Sequence, residues 1–459
     1  MKRVLVGLCA VCVLTLCIVG IVLVVRAQTQ AQAMQQFIAA GPANLAREEA
    51  AARQEGIPLT AAQLQRPLPP PSQNGAPLYV KLTNLLHDKP LGLPKYAEGM
   101  DAFHAYTPEQ IAVVRRTLAA RQDVMTLVHQ AADRPQCVFA RDWDRGADLM
   151  FPEYQPMREA ARLIKTESYL LARDGRYREA ITNQARGFRV AEHAASDSVL
   201  IAYLVGIANE AITLSGMQSI LCLAGPDPAV DSAVQQTVRT RRSQLSLHDA
   251  LAGEAGFFCA DFGRMRQSVK NGMEAVVAAG GLSDTRASQV RLAPNQQQRL
   301  HDLIDAWEAD YLARMLPAVS VSRQSQAARH AVFAATDQQT EQDAGSPTGL
   351  THLMTDIFMP VLGKIDQHGP RTRARETITC AAATLLAEKA GTGAYPGKLP
   401  QEFTDPFTNK PLGYRREGGG FVVYSAGPGG HFDGGRPGQK VPGQESLFRY
   451  PAVPAPPAQ

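Results

Sequence analysis

The chain has 459 residues, of which 45% are hydrophobic and 20% charged, with a formal net charge of +4 at pH 7. These values exclude wholesale disorder, and the length suggests roughly two to three domains. Basic residues are not gathered on one face. The densest group, Arg239, Arg241 and Arg242, reads as a solvated helix end, so no nucleic-acid partner is expected.

The N-terminus carries the clearest signal. Lys2 and Arg3 precede an uncharged apolar run from Val4 to Val25. As a helix rising roughly 1.5 Å per residue, this run spans about 33 Å, enough to cross a hydrocarbon core of ~30 Å. The apolar region of a cleavable signal is shorter, roughly 7–15 residues. Basic residues on the short side predict a cytoplasmic N-terminus and a translocated body. The expectation is a single-pass anchor in a bacterial inner membrane, with the lipid bilayer as its first partner and the bulk of the chain in the periplasm or extracytoplasmic space. A signal cut after Ala27 or Ala33 gives the body the same location. Leu16 before Cys17 departs from a lipoprotein signature.

Seven cysteines divide unevenly. Cys9, Cys12 and Cys17 lie in the apolar run and act there as small hydrophobes. Cys137, Cys222, Cys259 and Cys380 lack metal-ligand spacing. Export would permit disulfides among them, and free thiols are the alternative.

Residues 28–76 combine an Ala/Gln-rich helical stalk with Arg66-Pro67-Leu68-Pro69-Pro70-Pro71, where proline removes amide donors and forces extended backbone. Gln65 to Gly75 is a linker or an arm lying along the body. Helices then follow one another. Thr107-Pro108-Glu109-Gln110 is a capping box with proline at the first helical position. Pro156 to Arg173, Tyr177 to about Ala195 and Asp197 to Leu223 repeat apolar residues at helical spacing. Asp227-Pro228 starts the next helix, Ser246 with Asp249 another, and Pro294–Leu316 with Pro317–Thr336 a further pair. Short polar turns between them imply antiparallel neighbours. Asp174-Gly175-Arg176-Tyr177-Arg178-Glu179-Ala180 resembles the middle of one tetratricopeptide hairpin, although Gln184 and Gly187 replace the aromatic and alanine of that pattern. No 34-residue period recurs.

After Gly369 the character changes. A helix over Arg371–Lys389 leads to a Tyr395-Pro396 loop, Asp405-Pro406-Phe407, and two runs alternating around Gly418-Gly419-Gly420, which predict a β-hairpin. Residues 371–435 resemble the C-terminal region of type II secretion major pseudopilins, which order the same parts in the same way. The tail also resembles those of uncharacterised membrane-anchored envelope proteins from planctomycete-like bacteria, whose Pro-x-Cys element matches Pro135-Gln136-Cys137. The pseudopilin resemblance implies a calcium-binding glycine-rich loop. Gly429 and Phe432 stand where related tails carry carboxylates and only Asp433 remains in the loop, a poor calcium cage, so no metal is expected; Asp405 and Asp433 are the candidates if one binds.

The fold class that emerges is mainly α: a transmembrane N-terminal helix, a large antiparallel helical bundle or hairpin array, and a small C-terminal α+β module with a β-hairpin. The expected divisions are 1–27 (anchor), 28–76 (stalk and linker), 77–368 (helical domain), 369–448 (pseudopilin-like module) and 449–459 (Pro-rich tail). No Gly-x-Ser-x-Gly elbow, His-Glu-x-x-His helix, phosphate loop or dinucleotide fingerprint occurs, so no catalytic residue and no cofactor are expected. His301, Asp302 and Asp305, and the acidic loop Asp142-Trp143-Asp144 with Asp148, read as solvated or capping residues. The favoured function is a noncatalytic scaffold or interaction protein that recruits a protein partner in the envelope. The alternative is an envelope hydrolase or glycan-binding protein whose site is formed by distant loops.

Overall fold

The computed structural model describes residues 2–241, 245–271, 293–344, 351–432 and 446–452, without the side chains of 2–27, 270, 271 and 344. In chain order the helices are α1 (Lys2–Gln54), α2 (Ala61–Leu64), α3 (Ala76–Asp88), α4 (Pro108–Ala120), α5 (Gln122–Ala132), α6 (Tyr154–Arg173), α7 (Tyr177–Ala194) and α8 (Leu200–Ala224). They continue as α9 (Pro228–Arg241), α10 (Leu247–Asn271), α11 (Pro294–Val321), α12 (Gln326–Ala344), α13 (Leu353–Phe358), α14 (Leu362–Asp366) and α15 (His368–Thr392). Strands β1 (Gly413–Glu417), β2 (Gly420–Tyr424) and β3 (Leu447–Tyr450) form an antiparallel sheet in the order β1-β2-β3. The protein is thus mainly helical with one small sheet. It divides into two compact units, each built from separated stretches: 1–64, 142–148 and 255–363 in the first, 65–141, 149–254 and 364–459 in the second. Residues of the expected segment 77–368 belong to both units, and those of the C-terminal module belong to the second.

In the second unit, α6 to α9 and α15 enclose a core completed by the sheet, with Phe188, Leu214, Leu221, Ile378, Leu386 and Phe421 among its buried side chains. The α6–α7 turn is set by Gly175 at φ 73°, where Arg176 N–H donates to Leu171 O and Gly175 N–H to Ala172 O, a Schellman closure. The departures from the tetratricopeptide pattern find their reason at the α7–α8 crossing. A Cβ on Gly187 would collide with Thr213, and one on Gly216 with the Gln184 amide. The two helices meet by seating one polar side chain over each glycine, and Gln184 Nε2 donates to Thr213 O at 3.0 Å.

Helix α8 is the one described helix long and apolar enough to cross a membrane by length and composition, and 61% of its apolar window is buried. Asn209, Glu210, Thr213, Gln218 and Ser219 are buried along it, so it is the central helix of a packed body. Its first amide, Leu200 N–H, donates to Glu254 Oε2 at 3.0 Å. Burial pushes the Glu254 carboxyl up to about 7. The apolar run assigned to the membrane lies within α1, but in residues whose side chains fall outside those described.

The hairpin expected around Gly418–Gly420 is present, with Arg415 opposite Val422. A third strand was not anticipated: Arg449 and Tyr450, placed by the sequence in a Pro-rich tail, pair with Val422 and Phe421 in β3. Four residues flanked by glycines and prolines carry too short an alternation to signal a strand.

In the first unit, residues 28–54 of α1 pack along α11. A Cβ on Gly41 would lie 2.5 Å from Asp302 O and 2.8 Å from Ala306 N, so the helices touch backbone to backbone. The helix pair expected to divide at Pro317 is instead a single helix, α11, running through Pro317 to Val321. A proline inside a helix costs about 3 kcal/mol, but Leu312 and Met315 before it and Ala318 and Val319 after it are all buried, and their packing holds the axis. Phe258 stacks on Phe358 with centroids 4.3 Å apart, and Tyr311 meets both rings edge-on. The acidic loop is structural: Trp143 packs edge-on against Phe257, and Ala147 N–H donates to Asp261. Asp305 is an ion-pair partner of Arg266 at 2.6 Å.

Two predictions follow from the packing. Gly41→Leu should destabilise the protein by about 1–3 kcal/mol through overpacking, read as a lowered thermal midpoint, whereas Gly391→Leu, with open space at its Cβ, should cost less than half as much. Glu254→Gln should stabilise at pH 8 by up to about 3 kcal/mol and give little at pH 4.5. Because the folded pKa lies above the unfolded one, the stabilising contribution of protonated Glu254 is complete below the unfolded value and lost as pH rises toward 7. Thermal melts at both pH values measure the difference.

Candidate functional site

The Pro135-Gln136-Cys137 element lies on one wall of a cleft of about 560 Å³ in the second unit. Its placement starts with the Pro-rich arm. Gln136 N–H donates to Gln73 O, and Gly75 N–H returns to Gln136 O at 2.7 Å. The buried Asn74 side chain then accepts from Val138 N–H and donates to Val138 O, both at 2.9 Å. Gln65 accepts from Arg141 N–H at 3.0 Å. The segment read as a linker or an arm is therefore an arm bonded residue by residue to 136–141.

Arg141 carries the electrostatics beneath this wall. Its Nη1 donates to Glu153 at 2.9 Å, and Nε and Nη2 donate to Asp197 Oδ2 at 3.1 and 2.9 Å. Tyr154 OH donates to the same oxygen at 2.9 Å. The guanidinium carbon lies 4.3 Å from the Phe139 ring centroid and 4.9 Å from that of Phe151. Burial works against the cation, and Asp197 and Glu153 outweigh it, so its pKa is raised.

His193, Ser196 and Asp197 line the same cleft as Cys137. This juxtaposition invites comparison with a nucleophile–base pair, but the chemistry of each group goes the other way. Burial first, and then Asp197, push the Cys137 thiol up, and the thiol is the unreactive form. His193 shares a hydrogen bond with Tyr79 OH through Nδ1 at 3.0 Å. Its Nε2 is buried. Burial and then Arg189 lower its pKa to about 3, so the imidazole is neutral. Asp197 is committed to Arg141 and Tyr154. Within this cleft the thiol and the imidazole are therefore neutral, and Asp197 is paired with Arg141.

Of the metal candidates, Asp405 is fully buried, and both of its oxygens are taken by backbone: Oδ1 accepts from Phe407 N–H at 2.7 Å and Oδ2 from Ala426 N–H at 2.6 Å. It pins the loop after β2 onto the Asp405-Pro406-Phe407 turn. Asp433 lies outside the described residues. Among the described residues no three His, Cys, Asp or Glu side chains converge to hold a metal ion. Cys137, Cys222 and Cys259 form no disulfide among the described residues.

Sequence reasoning noted Pro135-Gln136-Cys137 only as part of a resemblance and named no site residue there. Arg141 and Asp197 are 56 residues apart, and Tyr79 and His193 are 114 apart. The isolated polar residue inside an apolar helical face, as at His193, was the one available signal. Comparison with known proteins finds no matching family model, no similar curated protein and no similar solved structure.

The protonation of His193 is testable. Its folded pKa lies below the unfolded value near 6.5, so its contribution to stability is complete above pH 6.5 and falls as pH drops toward 3. Wild-type protein should lose up to about 1.4 kcal/mol per pH unit across this window relative to His193→Phe. Parallel melts of the two proteins from pH 7 to pH 4 cancel the opposing carboxyl titrations that both share. Equal pH slopes in the two proteins would show that the imidazole is not buried neutral.

Proposed function

We propose that the protein is a membrane-anchored, extracytoplasmic protein of the bacterial envelope that binds a partner without catalysing a reaction. The observation that carries this reading is the state of the Cys137 cleft: its thiol is pushed up by burial, its imidazole is held neutral, and its carboxylate is bound by Arg141. Such a cleft can recognise a polar surface through hydrogen bonds, but it lacks a thiolate or a charged acid–base pair. The anchor is supported by the apolar run Val4–Val25 after Lys2 and Arg3 and by helical backbone from Lys2 to Gln54.

Glycan binding by the same protein shares one supporting observation, since residues from distant parts of the chain do meet in one polar cleft. Hydrolysis would need an activated group there. Alkylation with iodoacetamide at pH 7.5 distinguishes the two. In the folded protein Cys137 should react at least 100-fold more slowly than in urea; reaction as fast as a free thiol would refute the noncatalytic reading. A C-terminal alkaline phosphatase fusion should be active and should leave membranes only with detergent.

A further inference from the structure

We infer that a second cleft, distinct from the Cys137 cleft, binds a single-chain anionic amphiphile through a carboxylate or phosphate head group. This cleft of about 740 Å³ lies wholly within the second unit, and its lining includes Lys165, Arg375 and Arg449 with Phe103, Ile212 and Leu447. Its volume falls in the range of small-molecule sites, roughly 300–1,000 Å³.

The charge pattern of the lining selects the head group. Three cations line the cleft, and no carboxylate is among the described side chains that line it. Lys165 is held by Asp101 behind the wall, Nζ donating to Oδ2 at 2.9 Å. The other oxygen of Asp101 is occupied by Phe103 N–H at 3.0 Å and His104 at 2.7 Å. That carboxylate therefore fixes the ammonium in place, with its own oxygens taken by Lys165, Phe103 N–H and His104. Arg449 at the rim also meets Glu417 on β1. A planar guanidinium suits carboxylate and phosphate oxygens because it presents paired N–H donors in one plane.

The remaining surface selects the tail. Phe103, Ile212 and Leu447, with Ala211 beside them, give apolar walls next to the cations. An inorganic anion would leave that surface in contact with water, and a neutral hydrocarbon would leave the cations facing an apolar chain. A molecule with one charged end and one alkyl chain satisfies both. By contrast, the Cys137 cleft mixes Arg66 and Arg189 with Glu192, Asp197 and Asp249. Such a site requires neither the anchor nor a protein partner, so it can fail or stand independently of the proposed function.

The test is isothermal titration of the full-length protein in neutral maltoside detergent with four probes: octyl phosphate, octanoate, inorganic phosphate and octyl glucoside. Saturable 1:1 binding is expected for octyl phosphate or octanoate, at least 10-fold tighter than inorganic phosphate, with none for octyl glucoside. The ratio of the first two assigns the source, phospholipid-derived or fatty acid. Ala211→Phe fills the cleft while keeping every charge and should abolish binding; Arg449→Gln should weaken it at least 10-fold. Absence of saturable binding, or inorganic phosphate binding as tightly as octyl phosphate, would overturn the inference. So would wild-type affinity in a folded Ala211→Phe protein. Should Ala211→Phe not fold, Arg449→Gln decides alone, and unchanged affinity there overturns the assignment.

Discussion

A buried guanidinium must find partners for its edges and cover for its faces, and Arg141 imposes that requirement on much of the second unit. Withdrawing such an ion from water costs several kcal/mol, and removing one partner of a buried pair leaves an uncompensated charge worth about 3–5 kcal/mol. Here Asp197 and Glu153 take the edges, while Phe139 and Phe151 lie near the cation. The carboxylates come from the residue before α6 and from the α7–α8 connection, and the arm reaches the Arg141 backbone amide through Gln65. One residue thereby ties three segments distant in sequence. The cleft above it inherits its rigidity, and Asp197 loses its freedom to act as a base.

The same logic recurs wherever the alanine-rich helices meet. An alanine face presents nearly the same surface at each turn, so apolar burial alone leaves several registers close in energy. Buried polar pairs remove that degeneracy, because an unmatched donor or acceptor costs about 1–3 kcal/mol in every register but one. Gln184 and Thr213 set α7 against α8. Gln218 donating to Thr379 sets α8 against α15, and Gln235 donating to Thr384 sets α9 against α15. These polar residues also account for how α8 satisfies a hydropathy test for a membrane span while serving as the centre of a folded body. Hydropathy averages over a window, whereas Asn209, Thr213 and Gln218 act at single positions.

What was legible in the sequence follows from the range of the interactions involved. The capping box at Thr107 and Gln110 and the Schellman turn at Gly175 lie within a few residues of one another, so composition and spacing suffice, and both are present. The β1–β2 hairpin is equally local. The division expected at Pro317 failed because a local penalty was outweighed by burial on both sides of the proline, which no local pattern records. The third strand escaped because its evidence is the pairing itself. The candidate site was legible only as Pro135-Gln136-Cys137, since Arg141, Asp197, Tyr79 and His193 acquire their roles from contacts across the fold.

Burial also decides what kind of chemistry those residues can do. A cysteine, a histidine and an aspartate in one cleft resemble a catalytic set by composition, and in water each would titrate near its ordinary value. In the cleft, desolvation favours the neutral thiol and the neutral imidazole, while the carboxylate keeps its charge only through a neighbouring cation that also occupies it. The forces that make the cleft rigid are therefore the same ones that make it unreactive. A cleft lined by Lys165, Arg375 and Arg449 beside Phe103, Ile212 and Leu447 joins cations to apolar surface, and Asp101 and Glu417 pair with two of those cations. Rigid polar recognition in one place and a cationic lining beside apolar surface in another are both ways of binding, and neither requires the protein to change the covalent structure of what it holds.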